Sequence, residues 1–151
     1  MGNWNRTFNI YGLYIHEQHI LVVRRKSGPF MHQYDLPGGS VLEDEMLDDA
    51  LKRHLDSYHV FPEAKRSLGT FDFLVAHDMN GKRLLHQICA LYLVDLNFEK
   101  DTAVPLIFEA TKKEPQTYKF LSFDQINAQT ASPILVKAKE LALELEAQSF
   151  L

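Results

Sequence analysis

A single α+β domain, built from a mixed sheet and two helices, is what this sequence predicts, and three observations carry the prediction. Aromatic and β-branched runs recur along the chain, with turn residues between them. Two other segments space their apolar residues for one buried helical face. At 151 residues, 46% apolar and 24% charged, the chain suits one globular domain that buries a core without disulfides or structural metal.

Taken in order, Thr7 to Ile15 reads as a first strand and His19 to Arg25 as a second, joined through the polar turn His16-Glu17-Gln18. Ile20-Leu21-Val22-Val23 is a continuous apolar run, the mark of a strand buried on both faces. Lys26 to Gln33, with Ser27-Gly28-Pro29, is a loop; Tyr34 to Leu36 is briefly extended, and Pro37-Gly38-Gly39 forces a turn that side chains would obstruct. Glu43-Asp44-Glu45 opens a helix, with acidic residues where the macrodipole favours them. Its buried stripe is Met46, Leu47, Ala50, Leu51, Leu55 and Tyr58, and Val60-Phe61-Pro62 ends it because Pro62 cannot continue a helix. Ser67 to Ala76 and Arg83 to Leu96 form two long strands joined through Asn80-Gly81, a type I′ hairpin signal. Asn97 to Pro115 is looser and charged, and Tyr118 to Phe123 is a last strand. A helix then starts at Pro133, capped by Ser132, with Ile134, Leu135, Ala138, Leu141, Ala142 and Leu145 on one face.

Charge and cysteine content narrow the class. A net charge of -4 argues against a protein that binds nucleic acid by neutralising its backbone. The single cysteine, Cys89, lies in the apolar run Ile88-Cys89-Ala90-Leu91 and reads as a core residue; with no partner in the chain, a cytoplasmic location is expected. No apolar run approaches the roughly 20 residues that cross a bilayer, and Met1 to Arg6 has no secretory h-region, so no membrane partner is expected.

One motif carries chemistry. Leu36-Pro37-Gly38-Gly39 is followed six residues later by Glu45 and eight further on by Arg53, then by His54, Leu55, Asp56, Ser57 and Tyr58. The order of strand, loop, Leu-Pro-Gly-Gly, helix, hairpin, strand and helix resembles the Nudix family along nearly the whole chain, read as one domain over residues 1–151. The family box is Gly, five residues, Glu, seven residues, then Arg-Glu-apolar-x-Glu-Glu-x-Gly-apolar. With Gly39 first, Glu45, Arg53 and Leu55 match, and Phe61 takes the final apolar place. Tyr34-Asp35-Leu36 ahead of the turn, Glu114 to Asp124, and Ser132-Pro133-Ile134 resemble other family landmarks. The resemblance implies the Nudix α/β/α sandwich, hydrolysis of a diphosphate linked to another group, often a nucleoside, and magnesium as cofactor.

Magnesium takes hard oxygen ligands, and glutamates three and four apart on one helix bring several carboxylates to one point. Here those three places are His54, Ser57 and Tyr58, and Val60 replaces the last box glycine. Imidazole suits zinc, copper or iron better than magnesium. One lost electrostatic group costs about 3 kcal/mol, roughly a hundredfold in rate, so ordinary magnesium-dependent catalysis is not expected from this degenerate box of Gly39, Glu45, Arg53, His54, Ser57 and Tyr58. Asp49, Asp56 and Glu114 are the candidates for a displaced metal site; the plainer reading is a solvated face with an Asp49–Arg53 ion pair. By resemblance, Arg25, Tyr34, Gly38 and Gly39 face substrate, arginine at a phosphate by its bidentate fork; Trp4, Phe30 and Tyr34 are aromatics that stack on a base or pack in the core. The histidines, His16, His19, His77 and His86 among them, show no ligand spacing. Three functions follow: a protein that binds a nucleotide or related diphosphate without standard catalysis; a hydrolase with displaced ligands; and an interaction module, such as a homodimer through the hairpin.

Overall fold

The computed structural model describes residues 4–56, 61–76, 84–97 and 118–149. Among the described residues, eight strands and two α-helices follow one another as β1 (Trp4–Leu13), β2 (Ile15–His16), β3 (His19–Arg24), β4 (Tyr34–Asp35), β5 (Gly38–Ser40), α1 (Leu47–Asp56), β6 (Phe61–Ala76), β7 (Leu84–Asn97), β8 (Tyr118–Ser122) and α2 (Pro133–Ser149), with a 3-10 turn at Phe123–Gln125. Four strands form a mixed sheet in the order β5-β1-β7-β6, in which β1 and β7 run parallel. β3 is the centre of a smaller antiparallel sheet and pairs with β2, β4 and β8.

Alternation along the strands sorts the core into two layers. Tyr11 and Leu13 of β1, Ile20 and Val22 of β3, and Cys89 and Leu91 of β7 pack with Ile134, Leu135, Ala138 and Ala142 of α2. The intervening residues Ile10, Leu21, Val23, Ala90 and Val94 pack with Ala50, Leu51 and Leu55 of α1. Successive side chains of a strand point to opposite faces, so one apolar run feeds both layers. A helix on each face of the strands makes an α/β/α sandwich. Leu51 and Leu55, both fully buried, each contribute about 2 kcal/mol to holding α1 in place. No helix among the described residues is long and apolar enough to cross a membrane.

Several boundaries differ from the sequence expectation. The first helix begins at Leu47 rather than Glu43, because Glu43 and Asp44 form a turn and the Glu45 carboxylate accepts from the Leu42 amide at 3.2 Å and from Arg53. Met46, expected in the stripe, is 73% exposed. Phe61 and Pro62 do not end that helix; they open β6, which runs to Ala76. Pro62 is tolerated there because β6 is an edge strand and its register shifts between Pro62 and Ala64. A second shift, between Ser67 and Gly69, coincides with positive φ (119°) at Gly69. Phe123 lies in the 3-10 turn rather than in the last strand. Ser132 uses its hydroxyl on Asp35, at 2.7 Å, in place of the expected helix cap. Ser57, Tyr58, Val60, His77, the Asn80-Gly81 turn, most of Asn97 to Pro115, and Glu114 lie outside the described residues.

Candidate functional site

The Gly-Gly segment, expected as a turn, opens β5 and is fixed by close packing. β5 pairs antiparallel with β1, placing Gly38 opposite Tyr11, Gly39 opposite Ile10 and Ser40 opposite Asn9. Gly38 has φ +144°, and a Cβ there would stand 2.1 Å from the Ile10 carbonyl oxygen, so no side chain fits. A Cβ on Gly39 would meet His54 Cε1 at 2.6 Å. The imidazole of His54 therefore lies flush against the turn.

Two ion pairs brace it. Arg53 donates from Nε to Glu45 Oε2 at 2.7 Å, from NH2 to Glu45 Oε1 at 2.9 Å, and from NH2 to the Ser40 carbonyl at 3.0 Å. The bidentate bond to Arg53 holds the Glu45 carboxyl down to about 2. Arg53 thus clamps Glu45 and Ser40, not Asp49 as the sequence led one to expect; Asp49 is exposed. On the other side, Arg25 donates from Nε to Asp35 Oδ2 at 2.8 Å and from NH2 to the carbonyls of Leu36 and Gly38 at 3.3 and 3.2 Å. Asp35, 1% exposed, also accepts at Oδ1 from the Leu36 amide at 2.9 Å and from Ser132 Oγ at 2.7 Å. The loop entering the turn is thereby tied to β3 and to the start of α2.

His54 Nε2 lies 2.8 Å from the Ser40 carbonyl oxygen. A carbonyl only accepts, so Nε2 carries the proton. Burial lowers the His54 pKa below its ordinary value, the Ser40 carbonyl works against that shift, and the neighbouring Arg53 charge adds to it.

These groups surround a cavity of about 520 Å³ lined by β1 residues Asn5, Thr7, Asn9 and Tyr11, by Leu85 and Gln87 of β7, by Arg25, Ser27, Pro29 and Phe30, by Asp35, by Gly38, Gly39 and Ser40, and by His54. Tyr11 organises its floor: Asn9 Nδ2 and Gln87 Nε2 donate to its hydroxyl oxygen at 2.9 and 3.0 Å. Burial, with the Asp35 charge next, raises the Tyr11 pKa well above the ordinary phenol value, so the phenol stays protonated. Thr7 Oγ1 and Gln87 Oε1 are buried without a hydrogen-bond partner. Such atoms each cost about 1–3 kcal/mol when nothing pairs with them.

Of the residues singled out in the sequence, Gly38, Gly39, Arg25 and His54 are brought together at this cavity. Glu45 and Arg53 stand behind it as a clamp. Tyr34 is not in the lining; its ring has the Arg24 guanidinium 5.9 Å and the Lys119 ammonium 5.7 Å from its centre. Trp4 lines a separate cleft with Arg6, Leu74 and His86, whereas Phe30 is buried in the wall. Neither Asp49 nor Asp56 lines the cavity. Sequence reading missed Asn5, Thr7, Asn9, Asp35 and Gln87. The available signals were the Asn-x-Thr-x-Asn alternation of β1 and one glutamine inside an apolar strand.

Among the described residues Asp35 is the only carboxylate in the lining, and both its oxygens are already engaged. Among the described residues no group of three or more His, Cys, Asp or Glu is placed to hold a metal. The donors among the described residues do not by themselves fit magnesium, which takes several oxygen ligands.

Helices on both faces of a mixed sheet, with a glycine turn and an arginine–glutamate clamp at one end, define the class: the chain has the Nudix fold. In particular, it is similar to a MutT NUDIX hydrolase from Burkholderia pseudomallei, at 20% identity over 90% of this chain and 97% of that one, with a TM-score of 0.66. It is similar to an ADP compounds hydrolase at 14% identity over 95% of this chain and 75% of that one, with a TM-score of 0.59. A third similar structure is the NUDIX domain of Shewanella oneidensis NrtR complexed with ADP ribose, at 19% identity over 92% of this chain and 89% of that one, with a TM-score of 0.53. No protein-family model and no curated protein matches the sequence.

Proposed function

We propose that this chain binds a nucleotide or a related diphosphate in the cavity beside the Gly38-Gly39 turn, without the magnesium-dependent hydrolysis of the usual Nudix box. The observation that carries the reading is the composition of the cavity: the Gly-Gly segment and the arginine–glutamate clamp are kept, while the described residues of the lining offer amides, hydroxyls, a guanidinium and an imidazole in place of free carboxylates. His54 stands at the box position that would supply the first of the metal-binding glutamates, and its Nε2 proton is spent on the Ser40 carbonyl. Ser57 and Tyr58, at the other two places, are not carboxylates either. Support for the ligand class comes from the similar structures, one of an ADP compounds hydrolase and one complexed with ADP ribose.

The chain's own groups divide the work. Arg25, anchored by Asp35, puts a guanidinium at the cavity wall beside Gly38, where an anionic oxygen gains most. The amides and hydroxyls of β1 and β7 face the remainder of the ligand.

A thermal-shift panel of ADP, ADP-ribose and inorganic pyrophosphate, each with and without magnesium, tests this. Stabilisation independent of magnesium, with no phosphate or nucleotide product released, is expected. Stabilisation only with magnesium, accompanied by turnover, would replace the reading with a hydrolase whose ligands are displaced to Asp49, Asp56 or Glu114. A panel without any effect would leave an interaction role, such as homodimerisation.

A further inference from the structure

We propose that the open sheet face at the Trp4 end of β1, β7 and β6 docks a second copy of this chain, forming a two-fold homodimer. Successive side chains of a strand divide between the two faces of the sheet. On one face α1 covers Ile10, Ala90 and Val94. The same face continues past the helix as Phe8, Arg6 and Trp4 of β1, Ile88 and His86 of β7, and Asp72 and Leu74 of β6, set side by side by the strand register. Among the described residues no helix covers this stretch, and Trp4 is 47% exposed, Phe8 41% and Leu74 68%. Strands of such a sandwich are normally covered on both sides, and a contiguous open patch of aromatic and aliphatic side chains marks an interaction surface. Tryptophan and arginine are the residues that anchor interfaces most strongly.

The charges on the patch select the partner. Arg6 donates from Nε to His86 Nδ1 at 3.4 Å, and His86 Nε2 lies 2.8 Å from Asp72 Oδ2. Arginine only donates, so Nδ1 accepts and the Nε2 proton goes to the aspartate. These bonds cross all three strands and hold a cation on β1 and an anion on β6, on either side of β7. Among the described residues the terminal nitrogens of Arg6 and Oδ1 of Asp72 have no partner. A patch with its cation on one flank and its anion on the other is complementary to itself. A two-fold axis along β7 lays β1 of one copy over β6 of the other, about 10 Å away, and brings Arg6 to Asp72 of the partner subunit once from each copy. The patch measures about 14 Å across three strands and about 17 Å along five residues. Two such patches with their side chains bury on the order of 1,000 Å², the low end for a specific interface, so a micromolar dimer is expected. Asn5, Thr7, Asn9 and Tyr11, which line the cavity, point to the other face, so the dimer does not depend on the ligand.

Sedimentation velocity of the full chain, from about 2 to about 200 µM, should show monomer and dimer in exchange with a Kd of about 10–100 µM. Trp4→Ser combined with Leu74→Ser should raise that Kd at least about tenfold. Arg6→Asp alone leaves a patch with two anions and Asp72→Arg alone one with two cations, so each should also weaken the dimer at least about tenfold. An equimolar mixture of these two variants should associate again, to within about threefold of the wild type, because each charge on one chain then meets its opposite on the other. All four positions are exposed, so thermal unfolding of the dilute variants should match the wild type, and recovery on mixing is a result that misfolded chains cannot give. A wild type that stays monomeric up to about 200 µM would overturn the proposal. So would a dimer that the Trp4 and Leu74 changes leave intact, or charge variants whose mixture associates no better than either alone.

Discussion

Replacing Asp35 by asparagine should unsettle the loop that shapes the cavity, and the structure sets the size of the effect. Asp35 is 1% exposed, the Arg25 side chain opposite it is 16% exposed, and their shortest contact is 2.8 Å. Removing one member of a buried ion pair costs about 3–5 kcal/mol, mostly because the other charge is left without compensation. Arg25 keeps its bonds to the Leu36 and Gly38 carbonyls and some contact with water, which brings the expected loss to about 2–4 kcal/mol. Asparagine can still accept from the Leu36 amide or Ser132, but it has only one acceptor oxygen for the three donors. For a domain of this size each kcal/mol moves Tm by about 2–4 °C, so a fall on the order of 10 °C is expected. Urea denaturation of wild type and Asp35→Asn gives the free energy directly. The pair logic adds a second expectation: Arg25→Met combined with Asp35→Leu should be less damaging than the sum of the two single changes, because the double variant leaves no unpaired charge. A loss below about 1 kcal/mol in Asp35→Asn, or strict additivity in the double variant, would refute the view that this pair is what holds the turn to β3.

Other expectations concern the same end of the molecule. Gly39→Ala should drive the His54 ring from its seat, since the new Cβ would lie 2.6 Å from Cε1; loss of the imidazole hydrogen bond, seen as a changed His54 ring-proton shift by NMR, and a milder loss of stability than for Gly38→Ala are expected, because the latter meets backbone. The His54 pKa is lowered by burial, so folding favours the neutral ring: its contribution is fully present above the unfolded value of about 6.5 and is lost as pH falls through the lower folded value. His54→Gln should therefore flatten the decline in stability below that pH, whereas an unaltered decline would assign it to other groups. The Glu45 carboxyl, held down to about 2 by Arg53, contributes above the unfolded carboxylate range of about 4.3 and is lost as pH falls toward 2; Arg53→Met should shift that acid limb upward in an unfolding titration. Cys89 is fully buried, and burial, with the Asp35 and Asp72 charges, pushes its thiol up to about 12; disulfide-exchange reagents at pH 8 should react with it at the rate of global unfolding.

Much of the architecture is written locally, because alternation and turn chemistry record burial residue by residue. Ile20-Leu21-Val22-Val23 announces a strand covered on both faces, and both helices do pack on it. Gly38 announces a position without space for a side chain, and the Ile10 carbonyl occupies that space, although Gly38 and Gly39 belong to β5 and not to the expected turn. That His54, Ser57 and Tyr58 stand at the box's three metal-binding glutamate places is also plain in the sequence, as a list of residue types. What only the tertiary structure decided is which distant groups meet. Arg53 finds Glu45 instead of Asp49 because the segment before α1 turns back over the helix, and a charge so near one partner satisfies the other last. Ser132 finds Asp35, which is 97 residues away, instead of its own helix end. Thr7 and Gln87 become neighbours only through the parallel pairing of β1 with β7, and Tyr11 holds the glutamine amide by its Nε2. Local propensity fixes the direction in which each side chain points; the sheet's register determines what it faces, and that long-range pairing made a cavity out of residues that read singly as ordinary strand polar groups.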